Sequence, residues 1–210
     1  MCAILNDLTV TCWGDGVIPP QKIPGITNVT TVALGAQFAC ARQMDGKVFC
    51  WGKNSLGQCE QPKAMANVPT PTLAMTYAYD LVAGKAHVCA RSVNNNLVCW
   101  GDNTFGQLDG VTSGNGPVLT GAVATLLGGG RYHSCALESD GEMHCWGTIG
   151  AVKTDQTVTG FSSATQITGG LGYVCAITSP TVVTCSGANS SGTLGQGDTS
   201  AYSNPVAVKW

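Results

Sequence analysis

Ten of the chain's eleven cysteines fall into five pairs with one spacing. Cys2 and Cys12, Cys40 and Cys50, Cys89 and Cys99, Cys135 and Cys145, and Cys175 and Cys185 are each separated by ten positions. The first members follow one another at 38, 49, 46 and 40 residues, so the chain is an array of five similar units. Repeats of this length mark propellers and solenoids, in which a unit buries its apolar face only against its neighbours.

Around the pairs the segments read CAILNDLTVTCWG, CARQMDGKVFCWG, CARSVNNNLVCWG, CALESDGEMHCWG and CAITSPTVVTCSG, each a strand, a turn and a strand. The hairpins are expected near residues 2–14, 40–52, 89–101, 135–147 and 175–187. With Cys40 opposite Cys50, the second hairpin has a three-residue loop, Met44, Asp45 and Gly46. The third position of such a loop takes the left-handed conformation, which suits Gly46, Gly141 and Asn95. Leu8 and Thr181 stand there in the first and last hairpins and leave those turns open. Opposed residues of an antiparallel pair have Cα atoms about 4.5 or about 5.5 Å apart, within reach of a disulfide. Five disulfides, one inside each hairpin, are therefore predicted. The alternative is reduced cysteines stacking as small hydrophobes, but that packing would tolerate Ala or Val at one member of a pair. Zinc is the weaker reading. The chain has no C-x-x-C and only three histidines, His87, His133 and His144.

Charged residues are only 10% of the 210-residue chain, glycines number 28 and hydrophobics make up 44%. That is a turn-rich and weakly charged composition, not a disordered one. A net charge of −2 with ten Lys and Arg gives no field for a phosphate backbone, so no nucleic-acid partner is expected. The uncharged stretch from Val111 to Gly130 is interrupted by Gly, Pro, Asn and Thr. It falls short of the roughly 20 apolar residues of a membrane-spanning helix. So little charge suggests a surface that carries glycans or is packed into an assembly.

Further offsets recur. Gly35, Gly84, Gly130 and Gly170 stand five positions before the first cysteine of their units, and Phe38, His87, His133 and Tyr173 stand two before. Asn54, Asn103 and Asn189 follow the second cysteine by four positions, and Gly57, Gly106 and Gly192 by seven. This pattern, read in GKAHVCA, CWGDNTFGQL and GGRYHSCALESDGEMHCWG, resembles the repeat of the regulator of chromosome condensation family. The resemblance covers nearly the whole chain. It implies an all-β fold, a β-propeller of four-stranded blades occupying residues 1–210 as one domain, with ligand surfaces on its flat faces.

The departures are equally informative. The family's founding member is a nuclear exchange factor with seven blades, whereas this chain has five hairpins and a disulfide pattern unsuited to a reducing nucleus. Exchange activity is therefore not carried over. The loop after the second cysteine reads GTIGAVK in the fourth unit and GDGVIPP in the first, and Ser186 replaces Trp in the fifth. These are the places where the chain would make contacts of its own. The C-terminal SNPVAVKW reads as the opening strand of a unit, which would complete the blade begun at Met1 and Cys2. The glycine-bearing strand before Cys2 is not in the sequence, so either the chain is part of a longer protein, the favoured reading, or the closing blade is incomplete; a secretory leader would have been removed or lie in further sequence.

Several residues are candidates for function. Cys59, the odd cysteine, occupies the Leu position of the G-Q-L motif, as Leu108 and Leu194 do. It is either a buried free thiol or the link of an intermolecular disulfide. Asn28-Val29-Thr30 and Asn189-Ser190-Ser191 are glycosylation sequons. Asn28 lies in a connecting segment, and Asn189 is the motif asparagine, whose simpler role is to bond nearby backbone. Trp13, Trp51, Trp100 and Trp146 follow the second cysteines and point away from them, which places them between blades. His87 and His133 share their position with Phe38 and Tyr173, which makes them packing residues. Asp45 and Asp140 are turn formers, and no catalytic motif is present. No catalytic, cofactor-binding or metal-binding residue is therefore assigned. The expectation is a secreted or cell-surface binding or structural module with protein partners or self-assembly, possessing no chemistry of its own. A secreted inhibitor or a receptor ectodomain is the alternative within the family, and an enzyme is the least supported reading.

Overall fold

The computed structural model describes residues 1–14, 17–93, 96–108, 118–139, 141–149 and 152–209. Asn95, Asp140 and Trp210, and the part of the Val111–Gly130 stretch before Val118, lie outside the described residues. Eighteen strands and no helix are found among the described residues.

The first unit is a three-stranded sheet of β1 (Cys2–Ile4), β2 (Val10–Gly14) and β3 (Val17–Lys22). The second is the four-stranded sheet β4 (Val29–Leu34), β5 (Phe38–Gln43), β6 (Val48–Lys53) and β7 (Asn67–Met75). A continuous seven-stranded sheet follows: β8 (Ala78–Ala83), β9 (His87–Ser92), β10 (Asn96–Gly101), β11 (Val118–Gly129), β12 (His133–Glu138), β13 (Met143–Ile149) and β14 (Val152–Val158). It contains two units sharing β11, whose first half pairs with β10 and whose second half pairs with β12. The last unit is β15 (Gln166–Gly169), β16 (Tyr173–Ser179), β17 (Val182–Gly187) and β18 (Tyr202–Ala207). Every ladder is antiparallel, and the fold is an all-β propeller of successive blades.

The C-terminal strand departs from expectation. β18 pairs with β17, Thr184 opposite Ala207, as the outer strand of its own blade, and not with the first unit. Each blade lays down its outer strand after the loop that follows the hairpin, as β7 does after Lys53, so SNPVAVKW closes a blade and opens none.

All five cysteine pairs are directly opposed and joined as disulfides, with Cα atoms 4.0 to 4.1 Å apart. That spacing belongs to the closer, non-hydrogen-bonded class of antiparallel pair. Gly46 and Gly141 adopt φ of 86° in three-residue loops closed by Gln43 with Lys47 and Glu138 with Glu142. Leu8 takes the same left-handed conformation, φ 59°, so the first turn is built like the second and the fourth. The fifth differs. Ser179 faces Val182 across a two-residue turn of Pro180 and Thr181, and the extra residue is absorbed as a bulge after Ile177.

The recurring glycines have two physical causes. A Cβ on Gly35, Gly84, Gly130 or Gly170 would lie 1.9 to 2.2 Å from a ring atom of Phe38, His87, His133 or Tyr173. The ring therefore lies flat on the glycine three residues earlier. In four of the five C-W-G or C-S-G triplets the glycine, Gly52, Gly101, Gly147 or Gly187, has φ between 98° and 119°. A side chain there would also meet a backbone carbonyl at 2.5 Å, that of Gln37, Ala86, Tyr132 or Gly172.

The inner strands β4, β8, the second half of β11 and β15 follow one another around an axis. Near it, the Ala36 N–H donates to the Lys85 carbonyl, the Lys85 N–H to the Arg131 carbonyl and the Arg131 N–H to the Gly170 carbonyl. This arc of backbone bonds ties four blades together. Gly169 would have its Cβ 2.8 Å from the Gly130 backbone, so the inner strands meet backbone to backbone.

Candidate functional site

The seam between consecutive blades is built by two motif elements. After the second cysteine of the second unit the chain turns through Asn54, whose Oδ1 accepts from the Cys59 N–H at 2.9 Å. Its Nδ2 donates to the carbonyls of Gln61, Pro62 and Met65. Asn103 and Asn189 accept from the Leu108 and Leu194 N–H groups in the same way. The loop so fixed presents the Gln58 carbonyl to the next blade, where the Trp100 indole donates to it at 3.0 Å. One seam further on, the Gln107 carbonyl accepts from the Trp146 indole at 2.9 Å and from the Ser134 hydroxyl at 3.0 Å. Both indoles are buried. Trp100 and Trp146 thus stand between blades, as the repetition of the tryptophans predicts.

The seam between the fourth and fifth units lacks both elements. Ser186 stands where Trp100 and Trp146 stand, opposite Val174 in the ladder. Its hydroxyl faces the carbonyls of Tyr202 and Ser203 on β18, at 3.1 and 3.0 Å. On the other side, Thr148 and Ile149 replace the Lys53-Asn54 start of the asparagine loop. A cavity of about 680 Å³ lies between them, within the size range of ligand sites. Ile149, Val158, Leu171 and Val174 supply apolar wall, and Tyr132, Ser186 and Tyr202 are among its polar residues. The Thr148 Oγ1 is buried and has no hydrogen-bond partner among the described residues.

At the rim, Tyr132 stacks against Phe105 with ring centroids 4.6 Å apart. Two cations flank its ring, the Lys85 ammonium 5.4 Å and the Arg131 guanidinium 5.1 Å from the centroid. The Lys85 Nζ also donates to the Tyr132 hydroxyl at 3.3 Å, and this bond pulls the phenol below its ordinary pKa. Lys85 and Arg131 also line an open depression formed with the glycines at the ends of the inner strands, Gly35, Gly84, Gly130 and Gly170. Neither takes part in the ion pairs found among the described residues, which are Lys22 with Asp7 and Lys47 with Asp45.

His87 Nε2 lies 2.8 Å from the Ser134 Oγ, the distance of a catalytic dyad. The surroundings give it a packing role. Both residues are about 1% exposed, and the Ser134 proton is directed to the Gln107 carbonyl. Burial holds His87 and His133 at pKa values of about 4, so both rings are neutral at physiological pH. Among the described residues no group of three or more His, Cys, Asp or Glu side chains could hold a metal ion.

The remaining candidate residues are placed plainly. Cys59 is a free thiol with no exposed surface, filling the same kind of site as Leu108 and Leu194. Burial pushes its pKa up to about 12. Asn28 is exposed, with φ 54°. Asn189 is buried, its Nδ2 donating to Asp198 and its Oδ1 accepting from Leu194, so the amide a glycan would need is already used. Tyr132, Lys85 and Arg131 carry no repeat-wide signal in the sequence: Lys85 and Arg131 share the position after the recurring glycine with Ala36 and Leu171, and Tyr132 aligns with Gln37, Ala86 and Gly172. The Trp-to-Ser change and the lost asparagine loop were visible there, but not that they face each other.

Blades of this pattern, with Trp100 and Trp146 seated on the loops of the blades before them, define a repeat β-propeller. The chain carries repeats of the regulator of chromosome condensation (RCC1) family: one model of the repeat matches residues 29–58, 79–107 and 125–148, and a second matches residues 45–90. Among solved structures it is similar to Prp20p from Saccharomyces cerevisiae, with 19% identity and a TM-score of 0.83 over 100% of this chain and 61% of that one. Human WBSCR16 gives 19% identity and a TM-score of 0.78 over 91% of this chain and 56% of that one. The CRINKLY ectodomain of the Arabidopsis thaliana receptor kinase ACR4 gives 20% identity and a TM-score of 0.59 over 97% and 60%. At such identities the likeness is one of fold, and the chain spans about three fifths of these structures. No curated protein matches.

Proposed function

We propose that the chain is a non-catalytic protein-binding module of the cell surface or extracellular space, taking its partners on the face that carries Tyr132. The observation that carries this reading is the apolar cavity at the fourth seam with Lys85 and Arg131 at its edge. Apolar pockets rimmed by polar groups are the usual anchors of protein interfaces. Prp20p is described by its binding to Gsp1p and histones, which supports a partner-binding use of this fold. Five disulfides favour an oxidising compartment. The similarity to a receptor-kinase ectodomain favours a receptor ectodomain over a secreted inhibitor as the second reading. Asn28 is the position we assign to an N-glycan, and residues 1–210 act as one propeller domain.

The test is affinity capture from the extracellular proteins of the source, comparing the unmodified chain with a Lys85→Glu, Arg131→Glu variant and with a Met44→Gln control. Met44 is exposed at a hairpin tip, at the opposite end of the strands. The reading predicts a partner that the double variant loses and the control keeps. Equal capture by all three would overturn it.

A further inference from the structure

We propose that the cavity at the fourth seam is a seat for an aromatic side chain, an indole by preference, presented by a partner polypeptide with an acidic residue beside it. This rests on the protein-binding reading and names the chemistry of its partner.

The repeat itself supplies the argument. At two other seams the corresponding place is occupied by the chain's own Trp100 and Trp146, each donating to a carbonyl of the preceding blade. At the fourth seam both halves of that contact have changed together, the indole to Ser186 and the asparagine loop to the segment beginning Thr148-Ile149. Ser186 does not refill the place, since its hydroxyl is turned to the carbonyls of its own outer strand. What is left is a cavity with walls of Ile149, Val158, Leu171 and Val174.

The partner's charge follows from the rim. Tyr132 lines the cavity, and the Lys85 and Arg131 charges both lie within 5.4 Å of its ring centroid. A carboxylate next to the inserted ring would meet these cations at the edge of the interface, where charge complementarity sets specificity. An aromatic anchor in a fitted pocket is also the commonest form of an interface hot spot.

The experiment titrates the full chain with acetyl-Asp-Trp-Asp-amide, acetyl-Asp-Ala-Asp-amide and acetyl-Lys-Trp-Lys-amide by calorimetry or ligand-observed NMR. The proposal expects the first peptide to bind, the alanine peptide to be about tenfold or more weaker, and the lysine peptide to be weaker as well. Ser186→Trp, which places the chain's own indole in the seat, is expected to abolish binding. Should that variant fail to fold, competition by N-acetyl-tryptophanamide against the first peptide on the unmodified chain decides: displacement supports the seat and its absence overturns it. Equal binding of the tryptophan and alanine peptides, no binding of either, or a folded Ser186→Trp chain that binds undiminished would overturn it. A protein partner lost with Lys85→Glu, Arg131→Glu but kept with Ser186→Trp would remove the seat and leave the binding-module reading standing.

Discussion

Trp100 joins two blades through a single hydrogen bond and a buried ring, so it offers a clean measure of what a seam contributes. Trp100→Phe removes the donor to the Gln58 carbonyl and part of the ring volume. Leaving that buried acceptor unpaired costs about 1–3 kcal/mol. A denaturant titration should show a loss of at least that size, since the phenyl also packs less well. Gly101→Ala should be equally severe, because its φ of 105° and the Ala86 carbonyl both oppose a side chain. The buried histidines make stability depend on pH with a definite sign. Their pKa values, about 4 in the fold, lie below the ordinary value of 6.5, so the unfolded chain binds more protons between those limits. Their contribution is therefore fully present above pH 6.5 and is lost as the pH falls toward 4, at up to about 1.4 kcal/mol per pH unit for each ring. Replacing both with Phe, the residue at the same position of the second unit, should flatten the profile across that range. A pH series of melting temperatures reads this directly.

At the scale of the element, the hairpin was legible because it is a local object. The ten-residue cysteine spacing, Asp-Gly at the tip and C-W-G at the exit fixed its length, turn and bond, and the structure places the cysteines opposite one another. The last hairpin kept its disulfide while changing its turn, because one extra residue can be absorbed as a bulge without shifting the cysteine register. The outer strands were harder. Their pairing is decided by the chain's path after a loop, which no spacing records, and SNPVAVKW was assigned to the wrong end of a blade for that reason. The sharing of β11 by two blades was hidden in the same way. Replacing Cys89 and Cys99 by Ser should cost about 3 kcal/mol from loop-closure entropy. Two buried hydroxyls in place of the bond add to that, so a Cys89→Ala, Cys99→Ala chain is expected to be the more stable of the two reduced forms in a denaturant titration.

For the whole molecule, the propeller was readable from five copies of one pattern, whereas the candidate site was readable only as two departures from it. Ser186 and the Thr148-Ile149 segment are 37 residues apart in sequence at their nearer ends, Ile149 to Ser186, and only the stacking of blades brings them to one cavity. The compartment can be tested on the intact protein. Alkylation of the denatured but unreduced chain, followed by intact mass, should modify one thiol, Cys59, and leave ten cysteines protected. Denaturation is needed because the Cys59 thiol is buried and held far from its thiolate form. Eleven modified thiols in natively sourced protein would remove the extracellular reading.

The arc of backbone bonds from Ala36 through Lys85 and Arg131 to Gly170 runs donor to acceptor in one sense only. Each blade therefore behaves like a railway coupling with a hook at one end and an eye at the other. A duplicated blade slots into such a row without new chemistry, because it brings the matching hook and eye with it. A blade inserted the other way round would set donor against donor at the axis. One-way linkage of this kind lets a propeller change its blade number through gene duplication while its side chains drift, and leaves the outer seams free to acquire sites such as the one beside Ser186.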